Sequence, residues 1–236
     1  MGLFSRKKRE PVDDTVSDAA DEQDPPAPES DPATGEARDA FEQLIDREWE
    51  RLSSAGTWWT AGERVAIAVD ARLAMAGEEP TGVLPPPLEE ATARIAACPA
   101  TIRGTDVARW ELDGLDSFAY VETVGIVSRL MALDTAAFGL GIKARRLPEP
   151  QPGAPTRIRP DDAALTTGWS PTVGPASAPS SLTAVPDEAE AMFDFHGVLY
   201  ATMEEMFDMQ LEREGLTRPQ IELVAARTST LNECFY

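Results

Sequence analysis

Residues 115–141, LDSFAYVETVGIVSRLMALDTAAFGLG, form the stretch of sequence that decides the fold. A helix on a protein surface has one apolar face, but here the apolar residues leave few positions for polar ones. We therefore expect one long helix at the centre of an all-α structure, packed on more than one side. The apolar residues are Phe118, Val121, Val124, Ile126, Val127, Leu130, Met131, Leu133, Ala136 and Phe138.

Two carboxylates interrupt this apolar stretch, Glu122 and Asp134. A buried carboxylate without a compensating partner is costly. Either residue could therefore be a functional acid, pair with a cation such as Arg129, or lie on an exposed strip of the helix. The sequence favours the last two interpretations.

Two further helices are predicted on the N-terminal side of the central stretch. Apolar residues recur at helical spacing over residues 41–52. Thr60 and Glu63 form a capping box for a second helix, which Gly77 ends. The two tryptophans at positions 58–59 stand just before this cap, and we expect them to join the two helices in the core.

Composition divides the chain into four segments. Residues 1–38 are acidic and contain several prolines, which predicts a disordered tail. Residues 39–145 are predicted to form a helical unit, and residues 146–181 a linker rich in Pro, Gly and Ser that Trp169 anchors. Residues 182–236 are predicted to begin a second helical unit.

Charge and residue content exclude several classes of protein. The formal net charge of −20 argues against nucleic-acid binding, which needs a basic face. No apolar run reaches the length of a membrane helix, and no secretory signal precedes the acidic tail. The cysteines and the single histidine are too sparse for a zinc site, and no glycine-rich phosphate loop is present. We therefore expect a cytoplasmic protein without a cofactor.

The residues of greatest chemical interest lie in the last stretch, 217–236, TRPQIELVAARTSTLNECFY. Thr217 and Gln220 form a capping box that predicts a helix. Glu222 lies on this helix, and Cys234 follows twelve positions later. An apolar stripe is expected to face a core; it comprises Ile221, Val224, Ala225, Thr228 and Leu231.

This stretch resembles the signature helix of the alkylhydroperoxidase D / carboxymuconolactone decarboxylase family. These are all-helical proteins whose redox members carry a glutamate, then Cys-x-x-Cys, then a histidine. The resemblance implies that Glu222 is the proton-relay glutamate and Cys234 the resolving cysteine. The cysteine that attacks peroxide would then stand at position 237, and the relay histidine beyond it. Tyr236 occupies a position where family members often have histidine.

The middle of the chain is similar to the half of two-unit family members that lacks catalytic cysteines. It comprises WWTAGERVAIAVDARLA, the central stretch and the linker LPEPQPG. The resemblance therefore implies an alkylhydroperoxidase-like helical bundle of two units. It also implies a homo-oligomer, because helical members commonly form trimers or hexamers.

The activity implied by the resemblance is reduction of a peroxide or another small electrophile. The reductant would be a dithiol, either a thioredoxin-like or a lipoyl protein. Position 237 is predicted to be selenocysteine, whose UGA codon is read by default as stop; a fragment, a frameshift or a nonsense truncation are the alternatives. We expect the 236-residue chain itself to be inactive. The alternative function is that of a non-catalytic helical scaffold or oligomerisation module.

Two more residues of interest lie outside these motifs. His196, the only histidine, lies in a helix that is predicted to continue to Leu211. It belongs to a methionine-rich apolar stripe on that helix. It is either a proton carrier close to Cys234 or an ordinary histidine on a helix face. Cys98 lies among small apolar residues and is expected to be a buried structural thiol.

Overall fold

The structure is a computed structural model that describes residues 32–213, 215–232 and 234. These residues are mostly helical, which confirms the predicted all-α class. The helices are α1 (Pro32–Ser53), α2 (Ala61–Ala76), α3 (Pro86–Ala97), α4 (Gly104–Leu112), α5 (Ser117–Gly139), α6 (Pro186–Leu199), α7 (Met203–Met206) and α8 (Arg218–Leu231), with a 3₁₀ turn at Pro99–Thr101. The short strands β1 (Ala163–Ala164) and β2 (Thr172–Val173) pair antiparallel, as do β3 (Glu212–Arg213) and β4 (Leu216–Thr217).

Helix α5 is the central helix, as its sequence predicts. It packs against α2 and α3 on one side and against α6 on another, so that apolar residues around most of its circumference are buried. The Asp116 side chain caps its first turn by accepting hydrogen bonds from the backbone N–H groups of Phe118 and Ala119, at 2.9 and 3.3 Å. None of the helices in the described part of the chain is long and apolar enough to cross a membrane.

The predicted boundaries of α2 are confirmed. The backbone N–H of Thr60 donates to the Glu63 side chain at 2.8 Å, and Thr60 Oγ1 accepts from the N–H of Glu63 at 3.3 Å. Gly77 ends the helix with φ +72°, a left-handed conformation that favours glycine. Trp58, just before the cap, is buried in the core, as expected.

Helix α1 begins earlier than predicted. Its first residue is Pro32, so residues 32–38, assigned from composition to the disordered tail, are helical. Proline suits a first helical position, and alanine, glutamate and arginine in this segment favour a helix, whereas Thr34 and Gly35 do not. A helix that is already held by its packed residues extends readily over such a segment. The remainder of the predicted tail, residues 1–31, lies outside the described residues.

The predicted linker is irregular apart from β1 and β2, but it lies against the helices instead of standing free. The Trp49 indole N–H donates to the carbonyl of Arg146 at 2.7 Å. Further along, the backbone N–H of Gln151 donates to the carbonyl of Ser53, also at 2.7 Å. These two bonds attach the first part of the linker to α1.

Cations and one aromatic ring attach the rest of the linker. The guanidinium groups of Arg157 and Arg159 lie over the Trp58 ring, at 5.3 and 4.8 Å from its centre. The Trp169 indole lies against Gly104 at the start of α4, with about half of its surface exposed. Trp169 therefore anchors the linker, as predicted.

Helix α6 belongs to the same hydrophobic core as α1 to α5. Leu182, Val185 and Phe195 are buried in that core, together with residues of α5. The boundary predicted at residue 182 is therefore not a boundary of the core. The chain leaves this core only after Leu199.

The continuous helix predicted as far as Leu211 is wrong. Helix α6 ends at Leu199, and Thr202 begins a new helix by a capping box with Glu205. A threonine that binds the backbone N–H three residues ahead competes with continuation of the preceding helix. The methionine-rich stripe is consequently broken, and Phe207 lies exposed beyond it.

Candidate functional site

Glu222, the predicted relay glutamate, is held in place on α8 by two side chains. Its Oε1 accepts a hydrogen bond from the hydroxyl of Tyr200 at 2.9 Å. The same oxygen lies 2.6 Å from Nη2 of Arg218, one helical turn earlier on α8. Burial and the Glu222 carboxylate both raise the pKa of Tyr200. The phenol therefore remains a hydrogen-bond donor to Glu222 at neutral pH.

His196 lies beside Tyr200, the residue that donates a hydrogen bond to Glu222. Its exposed ring meets the ring of Tyr200 edge to face, with 5.2 Å between the ring centres. The structure thus brings His196, Tyr200 and Glu222 together. Tyr200 was not predicted as a site residue, although its spacing of four residues from His196 places both on one helix face.

Cys234 lies beyond the other end of α8. The thiol residue is exposed, and its backbone N–H donates to the carbonyl of Ser229 at 2.9 Å, closing the end of the helix. Glu222 and Leu231 are about 13 Å apart along the helix axis at a rise of 1.5 Å per residue. A proton passing between Glu222 and the Cys234 end of α8 therefore needs an intervening relay group. The predicted site residue Tyr236 lies outside the described residues.

The apolar stripe predicted on α8 does not face a core within the described residues. Val224 and Leu231 have 61% and 66% of their surface exposed, and Leu223 on the neighbouring face is similarly exposed. The main contact of α8 among the described elements is with β4, the strand that immediately precedes it in the chain. The periodicity correctly predicts an amphipathic helix but cannot say what covers its apolar side.

Cys98 is exposed, so its prediction as a buried thiol is wrong. It is the residue at which α3 ends, immediately before Pro99, and its backbone N–H still bonds to the carbonyl of Arg94. Its small apolar neighbours in sequence lie on α3 before it and in the 3₁₀ turn after it. Both cysteines of the chain are therefore accessible to solvent.

A second cluster of functional groups lies in the core of the helical bundle and was not predicted as a unit. It consists of four arginines and four carboxylates that contact one another in alternating order, so that the formal charges cancel. We call it the charge network. From its surface end to its buried end it comprises Arg47, Asp194, Arg51, Glu48, Arg129, Glu188, Arg64 and Glu122.

The buried end of the charge network joins α2, α5 and α6. Arg64 Nη1 lies 2.5 Å from Glu122 Oε1 and 3.2 Å from Glu188 Oε1. Arg129 Nη1 lies 2.7 Å from the other oxygen of Glu188. The second oxygen of Glu122, which is fully buried, accepts from the backbone N–H of Trp58 at 2.5 Å. Each of these charges has an opposite charge and a hydrogen-bond partner, as burial requires.

The surface end of the charge network adds α1. Glu48 accepts from Arg129 Nε at 2.8 Å and lies 2.5 Å from Arg51 Nη1. Asp194 of α6 then lies 3.0 Å from Arg51 and 2.9 Å from Arg47. One continuous series of ion pairs thus connects α1, α2, α5 and α6.

The two innermost carboxylates differ in their affinity for a proton. Burial raises the pKa of Glu122, and the neighbouring Glu188 adds to this, more than Arg64 lowers it. Burial acts in the same direction on Glu188, but Arg129 and Arg64 outweigh it and lower the pKa. Glu188 is therefore the charged partner of two arginines, whereas Glu122 holds a proton more readily.

The charged side chains of the network lie close to the backbone at two positions, and both are glycines. A Cβ atom at Gly56 would overlap the Glu122 carboxylate and the Arg64 guanidinium. A Cβ atom at Gly125 of α5 would overlap the carboxylate of Glu188. Glycine at these positions therefore provides the space that the charges occupy.

The sequence predicted that Glu122 and Asp134 could each pair with a cation such as Arg129. Both do pair with a cation, but Arg129 is the wrong partner. Glu122 pairs with Arg64, and Asp134 pairs with Arg72. Arg129 instead lies between Glu48 and Glu188. Sequence spacing along α5 cannot identify partners that come from other helices.

Comparison with protein-family models, with curated proteins and with solved structures finds no match for this chain.

We expect Glu188→Gln to lower the free energy of unfolding by about 3–5 kcal/mol at neutral pH, because Arg64 and Arg129 each lose one of their two carboxylate partners and one buried positive charge is left unbalanced. The pKa of Glu188 is lowered by folding, so its contribution is present above the unfolded-state pKa and disappears as pH falls through the folded-state pKa. The loss in the variant should shrink over that range. Urea denaturation across a pH series measures it.

Glu122→Gln is the matched variant and should behave oppositely. The pKa of Glu122 is raised by folding, so its ionisation opposes folding as pH rises from the unfolded-state to the folded-state pKa. The stability of Glu122→Gln relative to the wild type should therefore increase with pH over that window. Equal losses in the two variants at every pH would contradict the assigned difference.

We expect Gly125→Ala to destabilise the protein by about 2 kcal/mol or more, because the added methyl group displaces the Glu188 carboxylate. Gly62→Ala is the control, since a Cβ at that helical position meets nothing within 4 Å. It should be neutral or stabilise by up to about 1 kcal/mol. Urea midpoints of the two variants compare them directly, and equal midpoints would contradict the assigned contact.

Proposed function

We propose that this chain belongs to a thiol- or selenol-dependent peroxidase of the alkylhydroperoxidase D / carboxymuconolactone decarboxylase type. The observation that supports the proposal is the arrangement along α8. A carboxylate, Glu222, is oriented by Arg218 and Tyr200 near one end, and an exposed thiol, Cys234, follows the other end. The motif places the attacking nucleophile at position 237, as a cysteine or a selenocysteine.

The charge network supports assigning structural and chemical roles to different parts of the chain. Its three glutamates are buried and bonded to arginines, so they cannot reach a substrate, and the partly exposed Asp194 is bonded to Arg47 and Arg51. The exposed thiol and the oriented but half-exposed carboxylate both lie after residue 200. We therefore assign a structural role to the bundle of α1 to α6 and redox chemistry to the residues that follow it.

The proposed reaction has three steps. The thiolate or selenolate at position 237 attacks the terminal peroxide oxygen, breaks the O–O bond and becomes a sulfenic or selenenic acid, while the alkoxide takes up a proton to leave as an alcohol. The Cys234 thiol then condenses with that acid, forming an S–S or S–Se bond and releasing water. A dithiol protein finally reduces this bond and is itself oxidised to a disulfide.

Glu222 has a proton-transfer role in this scheme. It accepts the proton of the nucleophile through the relay group that its distance from the end of α8 requires. Arg218 and Tyr200 fix the orientation of its carboxylate, and the Tyr200 hydroxyl occupies a lone pair of one oxygen. The other oxygen, Oε2, is then the acceptor for the relay.

The first test is the nucleotide sequence after the codon for Tyr236. The proposal expects UGA or a cysteine codon, followed in frame by a histidine codon within a few residues. Any other codon at that position, or no histidine, would remove the basis of the enzyme proposal.

The second test is peroxide consumption with a dithiol donor by the protein that includes position 237. We expect Cys234→Ser to abolish multiple turnover, because the oxidised nucleophile then has no resolving thiol. Cys98→Ser, which removes the other exposed thiol, is the control and should retain activity. Equal activity of the two variants would contradict the role given to Cys234.

Glu222→Gln tests the proton relay in the same assay. General acid–base groups typically contribute about 10²–10⁴-fold to a rate, so we expect a loss in that range. Glu212→Gln changes an exposed glutamate of β3 and should leave the rate unchanged. A Glu222→Gln rate equal to that of the control would exclude the relay role.

The alternative function is a homo-oligomeric assembly module, and the exposed apolar surface of the last segment favours it. Phe207 and Met209 are 80% and 72% exposed, and the apolar side of α8 is uncovered. Single exposed apolar residues are ordinary, but several close in sequence on one segment are typical of an interface.

Sedimentation analysis of the 236-residue chain tests the alternative. We expect a homo-oligomer that dissociates when Val224 and Leu231 are both changed to Glu, because the charges would be buried at the contact. Leu112→Glu, at an exposed position on α4, is the control and should leave the oligomer intact. A monomeric wild type would exclude an assembly role for this surface.

A further inference from the structure

A small cavity lies beside the charge network, between α1, α2 and α5. Its volume is about 20 Å³. One side is apolar and the other is formed by charged side chains of the network. The lining comprises Glu48, Trp49, Arg51, Leu52, Arg64, Ile126, Arg129, Leu130 and Leu133.

Arg64, one of the charged residues that line the cavity, has a donor whose hydrogen bond is missing. The Arg64 side chain is 5% exposed, and its Nη1 bonds to Glu122 and Glu188. Its Nε–H is buried, and no acceptor among the described residues receives it. A buried donor left without a partner costs about 1–3 kcal/mol, more when it is charged.

The same side of the cavity offers an acceptor. Glu48 Oε1 faces Arg51, and Glu48 Oε2 receives a hydrogen bond from Arg129 Nε. Each carboxylate oxygen has two lone pairs, so Glu48 can accept a further hydrogen bond. A group that accepts from Arg64 and donates to Glu48 would satisfy the missing bond.

We infer that this cavity is a binding site for a single water molecule. Its volume exceeds the roughly 10–15 Å³ that one water needs. The molecule must be both acceptor and donor, which water is and a halide ion is not.

The cavity lies within the bundle of α1 to α6, apart from the residues assigned to redox chemistry. The bound water would complete the hydrogen bonding of the buried arginine. It would also place one solvent molecule between Arg64 and Glu48, which pair with other groups of the network and not with each other in the described part of the chain.

A high-resolution crystal structure of the 236-residue chain tests the site directly. We expect one density peak within hydrogen-bond distance of both Arg64 Nε and a Glu48 oxygen. Crystals soaked in sodium bromide distinguish the ligand, because bromide has an anomalous signal and water has none. An empty cavity, or an anomalous peak at this position, would overturn the inference.

Oxygen-17 relaxation dispersion gives an independent measurement in solution. Leu133→Phe adds bulk to the lining of the cavity, and we expect it to have one fewer long-lived water than the wild type. Leu112→Phe makes the same change at an exposed position and should retain the wild-type number. An unchanged number in folded Leu133→Phe would contradict the site; if that variant does not fold, the wild-type crystal structure still decides.

Discussion

The structure depends most on the burial of Arg64 between Glu122 and Glu188. Removing charges from water costs several kcal/mol for each ion, and only close opposite charges and hydrogen bonds compensate for this cost. Arg64 and its two carboxylates come from α2, α5 and α6, so the compensation exists in only one arrangement of these helices. Apolar packing alone permits helices to slide or rotate against one another at small cost. We infer that the charge network contributes mainly to the uniqueness of the fold and less to its total stability.

Glu188 reaches the core only if α6, which carries it, packs against α5. Helix α6 must return to α5 across the bundle, and the irregular segment before it makes that return possible. Contacts of Trp49, Trp58 and Trp169 keep this segment on the surface of the helices. The backbone near the charges is correspondingly restricted, as the glycines at positions 56 and 125 show.

Much of the fold could be predicted from local patterns. The capping boxes at Thr60 and Thr217, the stop at Gly77 and the apolar excess of α5 depend on residues close in sequence, and the structure agrees with each. The charge network could not be predicted, because its partners lie up to 147 residues apart and spacing along one helix says nothing about them. The exposure of Cys98 could not be predicted either, because it depends on which side of the end of α3 faces the core.

For the candidate site, the sequence indicated Glu222 and Cys234 but not the side chains that surround them. Tyr200 became a partner of Glu222 only because α6 ends at Leu199 and the chain then turns back toward α8. That turn follows from Thr202 acting as a helix cap, a weak signal within a strongly helical composition. The position of Cys234 relative to Glu222, in contrast, follows directly from the length of α8.

The attachment of residues 146–181 to the bundle has a consequence for the covalent chain. Helix α6 is held in place by apolar contacts and by ion pairs on both sides, independently of the peptide bonds that lead to it. A single cut by a protease at an exposed point of the connecting segment would therefore leave the two fragments associated. Such a nicked protein would migrate as one species in its native state and as two after denaturation.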